Sequence, residues 1–237
     1  MTPNLSMPTP LTLTKPQLTY DTWVPTLRRH RIIAVIRASD VRQGLKMAHA
    51  AAAGGIRLIE ITWNSAEPIT LLRSVQQALP HCWVGVGTVL SVPALEVAIA
   101  AGAEFCFSPH TSIPMIERAR VAGTPLSPGA MTPTEIVTAW QAGAASIKVF
   151  PISTLGGVNY LKALQGPLGH IPLIPTGGVD ELSAAALLST GAVAVGMSSG
   201  LFLKQEMGQH SWEAIQQRAA RLIVFYERTN AEKCLRS

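Results

Sequence analysis

The sequence predicts a single α/β domain of the (β/α)8 type, the TIM barrel. Short apolar runs alternate with helix-like segments eight times, without a break in composition. Continuously apolar strands separated by helices indicate a parallel sheet covered by helices, and eight such units in about 200 residues indicate a barrel. A glycine follows five of the predicted helices just before the next strand, at Gly54, Gly102, Gly123, Gly143 and Gly191.

The predicted elements follow one another in regular order. The strands are residues 31–37, 57–62, 83–89, 104–109, 124–129, 146–151, 171–178 and 193–197. The helices are, to within a few residues, 40–53, 65–78, 91–101, 112–122, 132–143, 158–165, 180–189 and 212–227. Thr132 and Glu135 have capping-box spacing with Pro133 between them, which marks a helix start. A doubly wound open sheet is the competing fold, but no glycine-rich nucleotide turn follows the first strand.

Composition limits the classes of function. The chain has 237 residues, 48% of them hydrophobic, which is enough for one large core. A net charge of +5 could suggest nucleic acid, but the basic residues are scattered, with 28–31 as the one cluster. Since aromatic residues make up only 5%, no stacking platform for bases is predicted, and an anionic small substrate explains the charge as well.

The cysteines and the N-terminus bear on location. Cys82, Cys106 and Cys234 have neither paired nor metal-ligand spacing, and this predicts a reducing cytoplasm. No run is long and apolar enough to span a membrane. Residues 1–22, rich in Pro and Thr at their start, are predicted to be a flexible extension and not a signal peptide, with residues 23–237 as the barrel domain.

Lys148 is the one lysine of six that lies inside an apolar strand. A charged amine without partners is costly in such a place. One interpretation is a lysine near a strand end whose head group reaches solvent, or one in a structural ion pair. The other is a nucleophilic amine that forms a Schiff base with a carbonyl substrate.

Polar residues at the C-terminal ends of the strands form a coherent set, because this is where a barrel builds its active site. They are Arg37, Glu60, Thr62, Asn64, Thr88, Ser108 to His110, Ser127, Lys148, Thr176 to Gly178 and Gly196 to Ser199. Side chains alternate along a strand, so Lys148 shares a face with Ser146, and Glu60 shares one with Thr62. Glu60 and Lys148 can therefore point into the barrel mouth together.

Glu60 is predicted to be a general acid or base, taking protons from a carbinolamine and from a substrate hydroxyl. A structural ion pair with Lys148 or Arg37 is the alternative. Arg37 can bind a substrate carboxylate or form a salt bridge at its strand end. Thr88 can donate a hydrogen bond to the same carboxylate or serve as a core residue.

Two glycine-containing turns end the last two strands and predict a phosphate site made of backbone N–H groups. The first comprises Thr176, Gly177 and Gly178, and the second runs over 196–199. Ordinary tight-turn glycine remains the alternative for each. No His, Cys or carboxylate cluster has metal-ligand spacing, so the sequence predicts a mechanism without a metal or cofactor.

As an ordered set, six motifs resemble those of the 2-keto-3-deoxy-6-phosphogluconate (KDPG) and 4-hydroxy-2-oxoglutarate (KHG) aldolases. The motifs lie at 58–62, 85–90, 108–109, 127–129, 147–151 and 175–178, and the similarity spans about 27–226. The resemblance implies a class I aldolase that acts on a phosphorylated 2-keto acid, releases pyruvate and is typically a homotrimer.

The resemblance also implies roles for individual residues. Lys148 matches the Schiff-base lysine and Glu60 the general acid or base. Residues at the pyruvate end are matched by Thr88 and Pro109, and those at the phosphate end by Thr176, Gly177, Gly178 and Ser198.

Two positions depart from the gluconate-type pattern. Asn64 stands where an arginine is usual and looks more like the galactonate-type branch, and His110 stands where Gly or Asn is usual. Two other functions stay open: a sugar-phosphate isomerase or synthase, and a catalytically silent barrel that binds a phosphorylated metabolite. Neither would need an imine at Lys148.

Overall fold

The computed structural model describes residues 15–234, and for residues 227–234 it describes the backbone alone. Nine strands occur in this range, and every pairing between them is parallel. They are β1 Ile32–Ile36, β2 Leu58–Thr62, β3 Trp83–Gly87, β4 Cys106–Phe107, β5 Leu126–Ser127, β6 Gly129–Ala130, β7 Ile147–Val149, β8 Leu173–Pro175 and β9 Val195–Met197.

The described range also contains ten helices, of which eight match predicted ones. They are α1 Tyr20–His30, α2 Val41–Ala53, α3 Pro68–Ala78, α4 Val92–Ala100, α5 Ile113–Ala122, α6 Pro133–Gln141, α7 Gly157–Leu168, α8 Glu181–Ser189, α9 Lys204–Gly208 and α10 Trp212–Cys234. The predicted capping box at α6 is confirmed: Thr132 Oγ1 accepts from the N–H of Glu135, whose carboxylate accepts from the N–H of Thr132.

The strands form a curled parallel sheet in two hydrogen-bonded groups, in the order β5-β4-β3-β2-β1-β9 and β6-β7-β8. The predicted strand 124–129 is split into β5 and β6 at Pro128, which has no N–H to donate. The β9 edge of the first group meets the β8 edge of the second group. There the N–H of Val193 donates to the carbonyl of Leu173 at 3.0 Å, and Thr176 forms a bridge with Gly196. The fold is thus α/β with the strands in chain order.

Two apolar layers confirm the predicted alternation of side chains. The outer layer lies between sheet and helices and contains Ile147 and Val149. The inner layer lies on the concave face of the sheet and includes Ile33, Phe107 and Ile174. Residues flanking Ile147 and Val149 on β7 therefore point inward.

Helix α1 was not predicted, and its first three residues fall in the predicted extension 1–22. Its Trp23 and Leu27 are fully buried in the inner layer. Trp23 stacks on Phe105, with ring centroids 5.0 Å apart, and its Nε1–H donates to Ser146 Oγ at 2.9 Å. These partners precede β4 and β7, so α1 covers the N-terminal ends of the strands. Residues 1–14 lie outside the described range.

Two further properties of the described residues bear on other classes of function. Among the described residues, no helix has the length and hydropathy required to cross a bilayer. Between residues 15 and 234, no three His, Cys, Asp or Glu side chains are grouped in a way that could bind a metal ion.

Candidate active site

Lys148 lies in the middle of β7, between Gly129 on β6 and Ile174 on β8. Its side chain points toward the inner face and is only 4% exposed. The amine lies over two aromatic rings, 5.6 Å from the ring centroid of Phe107 and 5.1 Å from that of Phe150. Strand pairing on both sides and the two rings hold the amine in a largely apolar setting.

Glu60 lies in the middle of β2, as Lys148 does in β7, and it is in register with Val35 on β1 and Gly85 on β3. Its side chain is buried, and Oε1 lies 4.0 Å from Lys148 Nζ. That distance is too long for a hydrogen bond, and Oε1 has no hydrogen-bond partner among the described residues. Burial raises the pKa of Glu60, while the charges of Lys148 and Arg37 oppose this increase.

Gly87 provides the space that the Glu60 carboxyl group occupies. A Cβ atom at this position would overlap Oε1 and lie 2.7 Å from Cγ of Glu60. No role for Gly87 was predicted from the sequence. Thr62 and Gly87 are in register at the ends of β2 and β3, so Glu60, two residues before Thr62, lies on the same face of the sheet as Gly87. Alternation of side chains along the two strands was the available signal for this role.

Ser65 is a second feature that sequence reasoning missed. Its Oγ lies 3.0 Å from Thr62 Oγ1 and accepts from the N–H of Ala38 at 3.1 Å. These hydrogen bonds join the ends of β1 and β2 beside Glu60. A serine three residues after Thr62 was the available signal, but a local pattern does not reveal its partner on the neighbouring strand.

The residues predicted at the pyruvate end differ in their exposure. Arg37 and Asn64 are exposed, while Thr88 and Pro109 are partly buried. Thr88 has φ of 61°, a left-handed conformation that is uncommon for a β-branched residue. Arg37 is close enough to influence the pKa of Glu60, but no carboxylate pairs with it among the described residues.

The two predicted glycine turns meet at the same edge of the sheet. Thr176 is buried, and Gly177 and Gly178 have φ of 92° and 73°, for which glycine is favoured. Gly200, just after the exposed Ser198, lies against the backbone of 179–180 so closely that a Cβ would overlap it. The structure therefore brings the two turns together.

Phe150 connects this edge to Lys148. Its ring centroid lies 5.1 Å from the lysine amine, and a Cβ on Gly177 would be 3.0 Å from the ring atoms Cδ2 and Cε2. The site thus combines a buried amine and carboxyl group with two glycine turns, and the Phe150 ring lies close to both the amine and Gly177. Such a site can attack a carbonyl, move a proton beside it and hold a distant anionic group.

Comparisons with known proteins identify the family of this chain. A family model described as KDPG and KHG aldolase matches residues 24–218. A 2-dehydro-3-deoxy-phosphogluconate aldolase of Dickeya dadantii (strain 3937) is 34% identical over 166 residues, which cover 68% of this chain and 78% of the relative.

Solved structures give the same result. KDPG aldolase from Legionella pneumophila, with pyruvate captured as a covalent carbinolamine, is 26% identical with a TM-score of 0.78 and covers 84% of this chain and 97% of its own. A native KDPGal structure is 29% identical with a TM-score of 0.75, covering 83% and 94%. These similarities confirm the resemblance found in the sequence: the chain belongs to the KDPG and KHG aldolase family, and it is an aldolase, a lyase.

Proposed function

We propose that this chain is a class I aldolase that cleaves KDPG to pyruvate and glyceraldehyde 3-phosphate. The observation that carries the proposal is the buried pair of Lys148 and Glu60, with Nζ and Oε1 4.0 Å apart and no hydrogen bond between them. A structural ion pair would be expected to close to hydrogen-bond distance, whereas two groups that handle one substrate atom need room between them.

Imine formation is the first half of the reaction. The free amine of Lys148 attacks the C2 ketone of the substrate, and proton transfer gives a neutral carbinolamine. Glu60, whose pKa is raised by burial, donates a proton to the carbinolamine oxygen, which leaves as water. A protonated imine between Lys148 and C2 remains, with Glu60 now a carboxylate.

Carbon–carbon cleavage is the second half. Glu60 accepts the proton of the C4 hydroxyl, the C3–C4 bond breaks, and its electron pair moves through C2 to the imine nitrogen. The aldehyde leaves, and Glu60 returns the proton to C3 of the enamine. Water then attacks C2, which releases pyruvate and restores the amine. No cofactor takes part in this scheme, since the imine itself is the electron sink.

The remaining candidate residues are proposed to bind the two ends of the substrate. Arg37, Thr88 and Pro109 would contact the carboxylate end, next to Glu60. Thr176, Gly177, Gly178 and Ser198 would hold the phosphate, through N–H and hydroxyl donors. Binding energy from the phosphate end would position C2 at Lys148, remote from the chemistry.

Two related substrates follow from the same site. KHG would be cleaved to pyruvate and glyoxylate by identical steps, without use of the phosphate end. The galactonate isomer of KDPG, which differs in stereochemistry, is the alternative substrate, because Asn64 resembles the galactonate-type branch at this position.

The architecture is proposed to be a closed eight-stranded barrel, in which β5 and β6 are one strand interrupted at Pro128. The contact of Val193 with Leu173 supports closure.

We further propose that the chain has one barrel domain after an N-terminal extension, and that the protein is a homotrimer in the cytoplasm. Two exposed apolar side chains, Leu90 after β3 and Ile113 at the start of α5, support an interface between copies. Light scattering of the purified protein would test the trimer by measuring its mass.

Borohydride trapping tests the proposed chemistry. The protein is incubated with pyruvate and sodium borohydride, digested, and analysed by peptide mass spectrometry. A reduced pyruvate adduct on Lys148 is expected, and no adduct should form when pyruvate is omitted. A folded protein that forms no adduct would be explained better by a silent barrel that binds a phosphorylated metabolite. Pyruvate release from KDPG, its galactonate isomer and KHG then ranks the substrates.

A further inference from the structure

Ser153 lies beside the phosphate end of the site, although no family motif in the sequence pointed to it. It follows β7 by four residues and precedes α7. The loop that carries it is held to the first glycine turn by two backbone hydrogen bonds. Ile152 N–H donates to Thr176 O at 2.9 Å, and Ser153 N–H donates to Gly177 O at 3.2 Å.

The side chain of Ser153 covers Gly178. A Cβ on Gly178 would overlap Ser153 Oγ and lie 2.6 Å from Ser153 Cβ, so glycine is required here partly because the hydroxyl occupies that space. Ser153 is exposed, and within the described range its Oγ makes no hydrogen bond. A free hydroxyl thus lies against the turn whose N–H groups are the proposed phosphate donors.

The position of Ser153 complements that of Ser198. Ser198 belongs to the other turn, whose Gly196 forms a bridge with Thr176 of the first turn. Ser153 approaches from the β7 side, through the loop that also carries Phe150. Ser153 and Ser198 thus each bring a hydroxyl group to the edge of the sheet that carries Gly177 and Gly178. A phosphate group accepts several hydrogen bonds at once, which suits such an arrangement.

We propose that Ser153 donates a hydrogen bond to the phosphate of the substrate and makes the site selective for phosphorylated 2-keto acids. This inference rests on the proposed function and adds a residue that acts on specificity. A hydrogen bond to a charged group changes binding by roughly tenfold to a hundredfold. KHG has no phosphate, so its cleavage does not draw on this hydrogen bond.

Steady-state kinetics of Ser153→Ala test the proposal. The value of kcat/KM for KDPG is expected to fall by about tenfold, chiefly through KM, relative to the value for KHG. Thr154→Ala is the matched control, because Thr154 is also exposed and supplies none of the atoms closest to Gly177 or Gly178. An unchanged ratio of the two kcat/KM values in Ser153→Ala would overturn the assignment.

Inorganic phosphate gives a second readout that does not depend on turnover. Added phosphate is expected to raise the Tm of the wild type and of Thr154→Ala more than that of Ser153→Ala. This outcome supports the role of Ser153 even if pyruvate trapping fails and the chemistry proposed above is wrong. Equal Tm shifts in all three proteins would overturn the role of Ser153 and leave the aldolase chemistry untouched.

Discussion

Ser146 and Lys148 are two residues apart and face the same interior, yet their surroundings differ. Ser146 Oγ accepts a hydrogen bond from Trp23 and shares another, of 2.6 Å, with Ser127. Lys148 has Glu60 at 4.0 Å, beyond hydrogen-bond distance. The N-terminal end of the interior is therefore closed by satisfied hydrogen bonds and stacked rings, while the C-terminal end keeps polar groups available.

This difference separates stability from chemistry along the same strands. A buried polar group without a partner costs stability, and such groups concentrate at functional sites. The well-packed end offsets that cost. We therefore expect substitutions at the Lys148 end to reduce activity with little loss of fold, and substitutions at the Trp23 end to do the reverse.

Lys148→Ala is predicted to have the largest effect. Without the amine no imine can form, so kcat for KDPG should fall by more than about a thousandfold. The circular dichroism spectrum and Tm should show a folded protein. Lys162→Ala, which alters an exposed lysine on α7, is the control and should retain wild-type turnover. A Lys148→Ala variant that still releases pyruvate at the wild-type rate would contradict the mechanism.

Glu60→Gln comes next, with kcat expected to fall by roughly a hundredfold to ten-thousandfold. Glu60 enters the reaction protonated, as the donor to the carbinolamine oxygen, so wild-type kcat/KM should fall as pH increases through the raised pKa of Glu60. Gln does not ionise, so this limb should be absent from the pH profile of the variant.

The matched control for that profile is Glu117→Gln, an exposed carboxylate on α5. It should keep both the rate and the fall in kcat/KM at higher pH that the wild type shows. If the limb persists in Glu60→Gln, another group controls the pH dependence, and Glu60 is better described as a structural partner of Lys148.

Trp23→Ala probes the opposite end. Trp23 is fully buried against Phe105 and Phe107, and such truncations lower the free energy of unfolding by about 3–5 kcal/mol. Urea denaturation measures this loss, and Leu182→Ala, at a side chain 85% exposed, should stay within about 0.5 kcal/mol. At a temperature where Trp23→Ala is folded, its kcat should remain near that of the wild type; a collapse of kcat would show that the two ends are coupled.

The sequence predicted the Lys148 end better than the Trp23 end, for a physical reason. Alternation along β2 and β7 is a local property, so the inward direction of Glu60 and Lys148 could be read directly. Helix α1 also carried local signals, since Trp23 and Leu27 are one turn apart and Thr19 caps the helix. Its Pro25 and the Pro- and Thr-rich residues before it favoured an extension instead.

Distances between elements could not be predicted from any local pattern. The gap between Glu60 and Lys148 depends on how β2 and β7 are placed across the sheet, and the contact of Ser153 with Gly178 depends on two loops that are 25 residues apart by number. Short-range periodicity specifies which face a side chain takes, whereas packing of the whole domain decides what it meets there. The family resemblance supplied roles for residues, but no geometry.

Ser146→Ala is predicted to have the smallest effect and gives the sharpest test of the comparison. It leaves the Trp23 indole N–H and the Ser127 hydroxyl without their partner in a buried place, which should lower the free energy of unfolding by about 1–3 kcal/mol. The exposed Ser189→Ala is the control and should be nearly neutral. Since Ser146 precedes Lys148 on the same face, kcat should change little if the hydrogen bonds serve stability alone. A large fall in kcat with a small fall in stability would instead mean that Ser146 positions the lysine, and the division between the two ends would have to be drawn closer to the N-terminal end of β7.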